Sequence, residues 1–210
     1  MKVHDVTLAV RAGMVTWKGG PGPAVEPTRR ISKGDAANES RISLGDHTGT
    51  HVDPPVHFIE GGATAERLPL EALVGPCRVV EHTGDGHVTA AVLDQAARGA
   101  ERILLRTANS ERWRRGEPFT LDFVALDESG AAWCVGNGVR LVGIDYLSIE
   151  PQGPRAKEHP VHTALLSEGV VIVEGLDLSG VRAGDYELFC GPLRIEGGTG
   201  APARVLLVER

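Results

Sequence analysis

The sequence predicts an α/β fold in one domain, residues 1–210, and three observations carry that expectation. Short apolar runs of strand character recur at Cys77–Glu81, Ile103–Arg106, Arg140–Asp145 and Val170–Gly175. Between them lie helix signals: Thr89 as an N-cap opening a helix to about Arg98, a run from Leu126 to Gly136, and Val161–Glu168 ended by Gly169. Such alternation builds a sheet covered by helices. The third observation is composition, since a chain of 210 residues with 41% hydrophobic and 24% charged residues can bury a core without disulfide staples.

The remaining elements follow in chain order. Val3–Val10 alternates enough for a first strand, and Ala12–Pro23 is a loop punctuated by glycine and proline around Trp17. With only 4% aromatic residues in the chain, a tryptophan in such a loop is conspicuous. Trp17 either caps the core from outside or packs on a flat substrate. Ser40–Gly45 reads as a short strand, and Gly61-Gly62 precedes a short helix near Leu68–Leu73. Glu174 falls at the end of a strand, where functional groups collect in α/β folds. Asp185–Phe189 and Arg204–Glu209 are closing strands. The Gly197–Gly200 loop between them is no phosphate loop, because no Lys-Ser or Lys-Thr pair follows.

Charge and cysteine content exclude several classes of function. A formal net charge of −6 argues against a nucleic-acid surface, which needs clustered Lys and Arg. The densest basic run, Glu111–Arg115, reads as a solvated loop face. Cys77, Cys134 and Cys190 form no C-x-x-C pair and fit a reducing compartment. The first residues lack the apolar run of a leader, and no stretch is apolar over the length of a membrane span. The expectation is a cytoplasmic protein that acts on a small molecule, with neither nucleic acid nor membrane as partner.

The most informative stretch is HTGTHVDPPVHF, His47–Phe58, which holds three histidines and one aspartate. Gly49, Pro54 and Pro55 break a helix, so the path is extended or tightly turned. Residues two apart on an extended chain point to the same side, which projects His51 and Asp53 together. The prolines restrict Asp53 to extended backbone angles and lower the entropy lost in holding it. Imidazole and carboxylate without thiolate suit zinc, manganese or iron. The alternative is an exposed polar loop whose histidines are satisfied by backbone carbonyls.

The pattern H-x-G-T-H-x-D-x-P-x-H in this stretch resembles the signature of the cyclase-like metal hydrolases, the family holding bacterial kynurenine formamidases and isatin hydrolases. RLVGIDYLSIEP at 140–151, and His162 followed by Glu174, extend the resemblance over nearly the whole chain. It implies a swivelling β/β/α fold with a mixed sheet and a few flanking helices, assembled as a homodimer or higher homo-oligomer. It also implies one or two divalent metals per chain, zinc first and manganese as the alternative. His47, His51 and Asp53 would be ligands of the first metal, Asp53 could bridge to a second, and His162 and Glu174 would complete the site. His57 would be the catalytic proton shuttle and Trp17 would border the substrate.

There are departures from that pattern. Trp17 is followed by Lys18-Gly19-Gly20 where the formamidases carry a W-P-G-D-like run, and Tyr146-Leu147-Ser148 resembles the broader family more than the formamidase branch. The expected reaction is hydrolysis of a C–N bond in a small aromatic amide or formamide, with N-formylkynurenine as the first substrate to try. The alternatives are a cyclic amide or ester such as isatin or a lactone, and a binding module without turnover. The other histidines, His4, His82, His87 and His159, read as structural or exposed. His159 lies close enough to His162 to compete with it as the ligand.

Overall fold

The computed structural model describes residues 1–209. Its strands are β1 (Lys2–Asp5), β2 (Ala24–Arg29), β3 (Glu39–Ser43), β4 (His51–Asp53), β5 (Val74–His82), β6 (Arg102–Thr107), β7 (Leu141–Ile144), β8 (Val171–Glu174), β9 (Gly184–Pro192) and β10 (Ala201–Glu209). The helices are α1 (Leu70–Leu73), α2 (Ala90–Ala96), α3 (Asn109–Arg115), α4 (Glu128–Gly136) and α5 (Pro160–Ser167).

Strands β5 to β8 lie side by side and parallel, with α2, α4 and α5 in the connections. A parallel sheet is covered on both faces, which is why these strands are apolar at successive positions. Their period of two then separates two cores. Leu104, Leu141, Val171 and Val173 join Leu188, Val205 and Leu207. Ile103, Leu105, Val142, Ile144 and Ile172 point the other way, onto Leu93 of α2, Cys134 of α4 and Leu165 of α5. Antiparallel β4, β9 and β10 complete a ring, β10-β4-β8-β7-β6-β5-β9, closed by the β9–β10 pairing, and β1 pairs with β10. The first core fills the closed sheet, and the second lies between sheet and helices.

The α/β class and the mixed sheet are those expected, and the differences are local. The Glu111–Arg115 run is not a loop but part of α3. The turn that opens α3 is held by buried Asp145, whose carboxylate accepts hydrogen bonds from the backbone N–H and hydroxyl groups of both Thr107 and Ser110. That partner is remote in sequence, so no local signal announces it. The β2–β3 hairpin is a separate two-stranded sheet with no buried residue in either strand, and it therefore leaves little apolar alternation to read. β1 stops at Asp5 because the chain then leaves for a bridge between Thr7 and Leu176. Thr89 caps α2 as expected, whereas α4 begins at Glu128, where Asp127 accepts from Gly130 N at 2.8 Å. No helix among the described residues is long and apolar enough to cross a membrane.

Candidate metal centre

The centre is built where β4 enters the sheet between β10 and β8. Val52 points into the closed sheet, so His51 and Asp53 face its helix side. The register sets His51 opposite Glu174 and Asp53 opposite Ile172. Ile172 belongs to the helix-side core, and Glu174, two residues on, projects the same way. The two ligand-bearing segments cross closely at Gly175, which has φ +69°; a Cβ there would lie 2.2 Å from the Gly49 carbonyl oxygen. Any side chain at 175 would push them apart. The same Gly49 carbonyl is 2.9 Å from His51 Nδ1, and a bond there leaves Nε2 to face the carboxylates.

His162 arrives on α5, whose Val161 and Leu165 anchor it in the helix-side core. Glu150 fixes the first turn. Its carboxylate accepts from Val161 N at 3.3 Å and His162 N at 3.0 Å, and it lies 2.9 Å from His162 Nδ1. Nε2 of His162 is thereby turned toward Glu174 Oε1, at 3.1 Å, and Asp53 Oδ2, at 3.8 Å. His47 places Nδ1 2.8 Å from Asp53 Oδ1, with its ring against Gly200, where a Cβ would come within 2.6 Å. His57 stacks on His47, ring centroids 3.9 Å apart.

The polar atoms at the centre are not satisfied by the protein alone. Asp53 is 0% exposed; His47 Nδ1 and His51 Nε2 lie 2.8 and 3.4 Å from its Oδ1, but no donor meets either carboxylate oxygen in hydrogen-bond geometry, and the buried His47 Nε2 has no partner either. A buried anion left in this way is costly unless a cation compensates it. Donor atoms of His51, Asp53 and Glu174 lie within 4.8 Å of one another, as do those of His47, Asp53 and His57. Two such groups meeting at one aspartate, with nitrogen and oxygen donors and no thiolate, fit a divalent metal. Donor atoms of Glu150, His159 and His162 form a third group of the same breadth.

Burial disfavours charge on each of these groups, yet their mutual interactions win at three of them. Asp53 and Glu174 overcome burial to lift His51 to about 9. At His162, Glu150 and Glu174 do so more strongly, lifting it to about 10. Asp53 is held well below the usual carboxylate range, against burial, by His47 and His51. At His57 burial prevails over the attraction of Asp53, and the pKa falls to about 4.

A metal needs the free imidazole, so binding must displace the protons that His51 and His162 hold in the metal-free protein at neutral pH. Apparent affinity should therefore climb as pH rises toward about 9. Calorimetry in buffers of different ionisation enthalpy should register about two protons released at pH 7. Affinity that stays flat from about pH 6 to 9 would contradict these proton counts.

All the residues singled out in the sequence meet here. His47, His51, Asp53, His57, His162 and Glu174 converge, and Trp17 borders the adjoining cavity of about 330 Å³. Trp17 packs edge-on against Phe119, 5.1 Å between centroids, and forms a cavity wall with Phe58 and Leu147. Glu150 was not singled out. It sits in the RLVGIDYLSIEP run, where nothing in the sequence marks it as the acceptor for the second nitrogen of His162. Glu150→Gln should weaken metal binding by about 10–100-fold, the usual cost of losing such an orienting group. Wild-type affinity measured by competition with a chelator would show that the clamp is dispensable.

A closed mixed sheet with an imidazole–carboxylate cluster on its helix side defines a metal-binding α/β protein. The chain belongs to the Cyclase family, whose family model matches residues 4–151. Kynurenine formamidase of Maricaulis maris (strain MCS10) is 36% identical over 210 residues, covering 99% of this chain and 98% of its own. A solved structure described as a potential metal-dependent hydrolase with cyclase activity is similar with a TM-score of 0.86 at 38% identity, covering 100% of this chain and 98% of that one. Isatin hydrolase A from Ralstonia solanacearum gives a TM-score of 0.82 at 25% identity, over 99% of this chain and 92% of its own.

Proposed function

We propose that the protein is a metal-dependent amidohydrolase of arylformamidase type, which cleaves the C–N bond of a small aromatic formamide. The observation that carries this reading is Asp53, a fully buried carboxylate that no donor meets in hydrogen-bond geometry, facing two Nε2 atoms whose rings are held from behind. His47, His51 and Asp53 would hold one divalent ion and Asp53, His162 and Glu174 a second, with zinc ahead of manganese. Such ions polarise a carbonyl and lower the pKa of water to roughly 7. Trp17 and Phe58 accept the aromatic ring, leaving the formyl group toward Asp53. Water adds to the formyl carbon and the C–N bond breaks. His57, uncharged at neutral pH, takes a proton from that water on a ring nitrogen and passes it to the leaving nitrogen. The products are the aryl amine and formate.

The same reading includes a homodimer or higher homo-oligomer, for which the exposed Val25 and Ile42 of the β2–β3 hairpin offer apolar surface. It also includes a cytoplasmic location, which three unpaired cysteines fit. Hydrolysis of a cyclic amide or ester is the second reading, favoured by the likeness to isatin hydrolase A. Formate release from N-formylkynurenine, run beside ring opening of isatin and of a simple lactone with zinc-loaded protein, separates the two. Metal without turnover of any of them would favour a binding module.

A further inference from the structure

Of the three donor groups, Glu150 with His159 and His162 has no part of its own in the reaction proposed above, and His159 is the member the fold strains to place. Among the described residues only Lys18 and His159 have a left-handed backbone without being glycine. His159, at φ 49° and ψ 51°, also precedes Pro160, and a residue followed by proline is steered toward extended angles. The conformation is therefore doubly unfavourable. Strain of this kind is held where a side chain must be aimed. Helix capping does not account for it, because His159 occupies the N-cap of α5 without a side-chain cap, and neither ring nitrogen hydrogen-bonds to a described residue.

What the angle achieves is a pair of imidazoles beside a carboxylate. The Phe58 ring backs both, with centroids 4.6 Å from His159 and 4.5 Å from His162, and the two imidazoles stand edge to face, 6.1 Å apart. One donor atom from each of Glu150, His159 and His162 lies within 4.8 Å of the others, a spacing that metal bonds of about 2.0–2.2 Å close with small shifts. Two nitrogens and an oxygen without thiolate suit a divalent ion such as zinc. All three residues line the substrate cavity, from which water can supply a fourth ligand.

We propose that Glu150, His159 and His162 Nδ1 form a separate, weaker site for a divalent cation, and that an ion held there inhibits the enzyme. His162 Nδ1 lies 2.9 Å from Glu150 Oε2, and the ion takes the place of the proton between them. A neutral imidazole has one lone-pair nitrogen to offer a metal. The displaced proton is therefore taken up, through solvent, by Nε2, which lets go of the centre at Asp53. The two sites compete for one ring, so excess metal strips His162 from the centre that hydrolysis needs. This inhibitory consequence rests on the arylformamidase reading, whereas the site itself does not. Asp53 is no member of the group, which allows the two sites to be separated by substitution.

Equilibrium dialysis of full-length Asp53→Asn against buffered zinc tests the site apart from the centre. This variant should take up about one zinc ion per chain, held weakly enough to leave when excess metal is removed. Adding His159→Gly, since glycine adopts the left-handed backbone freely, or His159→Asn, which tolerates it, should weaken that uptake at least about tenfold with the melting temperature kept. In the protein with Asp53 intact, zinc beyond full loading should slow formate release from N-formylkynurenine, and His159→Gly should raise the zinc needed for half-inhibition by the same factor. Asp53→Asn that takes up no zinc at any concentration, or equally well with and without His159, overturns the site. Zinc inhibition indifferent to His159→Gly overturns the antagonism. If zinc-loaded wild-type protein releases no formate, the arylformamidase reading fails, and the dialysis still decides the site.

Discussion

Asp53→Asn should purify without stoichiometric metal and hydrolyse aryl formamides at least about a thousandfold more slowly than wild type. Asparagine keeps the shape and volume of the side chain, so the β4–β8 register that sets His51 opposite Glu174 should survive. What disappears is the anion on which the donor groups of His51 and Glu174, and of His47 and His57, converge. Metal-assisted chemistry supplies several kcal/mol of transition-state stabilisation, and its loss corresponds to a thousandfold or more in rate. Elemental analysis and formate release, measured on the same preparation, check both halves. Full metal occupancy in the variant would remove Asp53 from the ligand set.

His57→Ala should behave in the opposite way, keeping the metal and losing turnover by about a hundredfold to ten-thousandfold, the span of general acid–base contributions. The reason lies in how His57 differs from its neighbours. Burial holds it at about 4, so it is uncharged where His51 and His162 are protonated in the metal-free protein. Its ring lies on His47, at the edge of the cluster and on the cavity wall. Added imidazole should recover part of the lost rate by occupying the vacated space. A variant with wild-type kcat would end the proton-shuttle role. One that loses metal along with activity would make His57 a ligand, a role its placement beside His47 and Asp53 also allows.

Much of this centre is legible in the sequence because its ligands sit on short, regular pieces of backbone. The helix-breaking Gly49, Pro54 and Pro55 forecast the extended path, and the period of two on β4 does put His51 and Asp53 on one side. Glu174 reads as a strand-end carboxylate for the same reason. Glu150 stays hidden because its role is to orient another residue, and orientation has no periodicity. His159 reads as ordinary from its neighbours, since a left-handed backbone angle in a histidine followed by proline runs against local preference. In the fold, the buried strands announce themselves by apolar runs. The β2–β3 hairpin does not, because neither of its strands is buried.

The account rests on a divalent metal at Asp53, and reconstitution of the full-length protein with zinc tests it most directly. After removal of excess ion, mass spectrometry under native conditions should show one or two zinc ions per wild-type chain and none in Asp53→Asn. A wild-type chain that retains no ion, with zinc or with manganese, would contradict it.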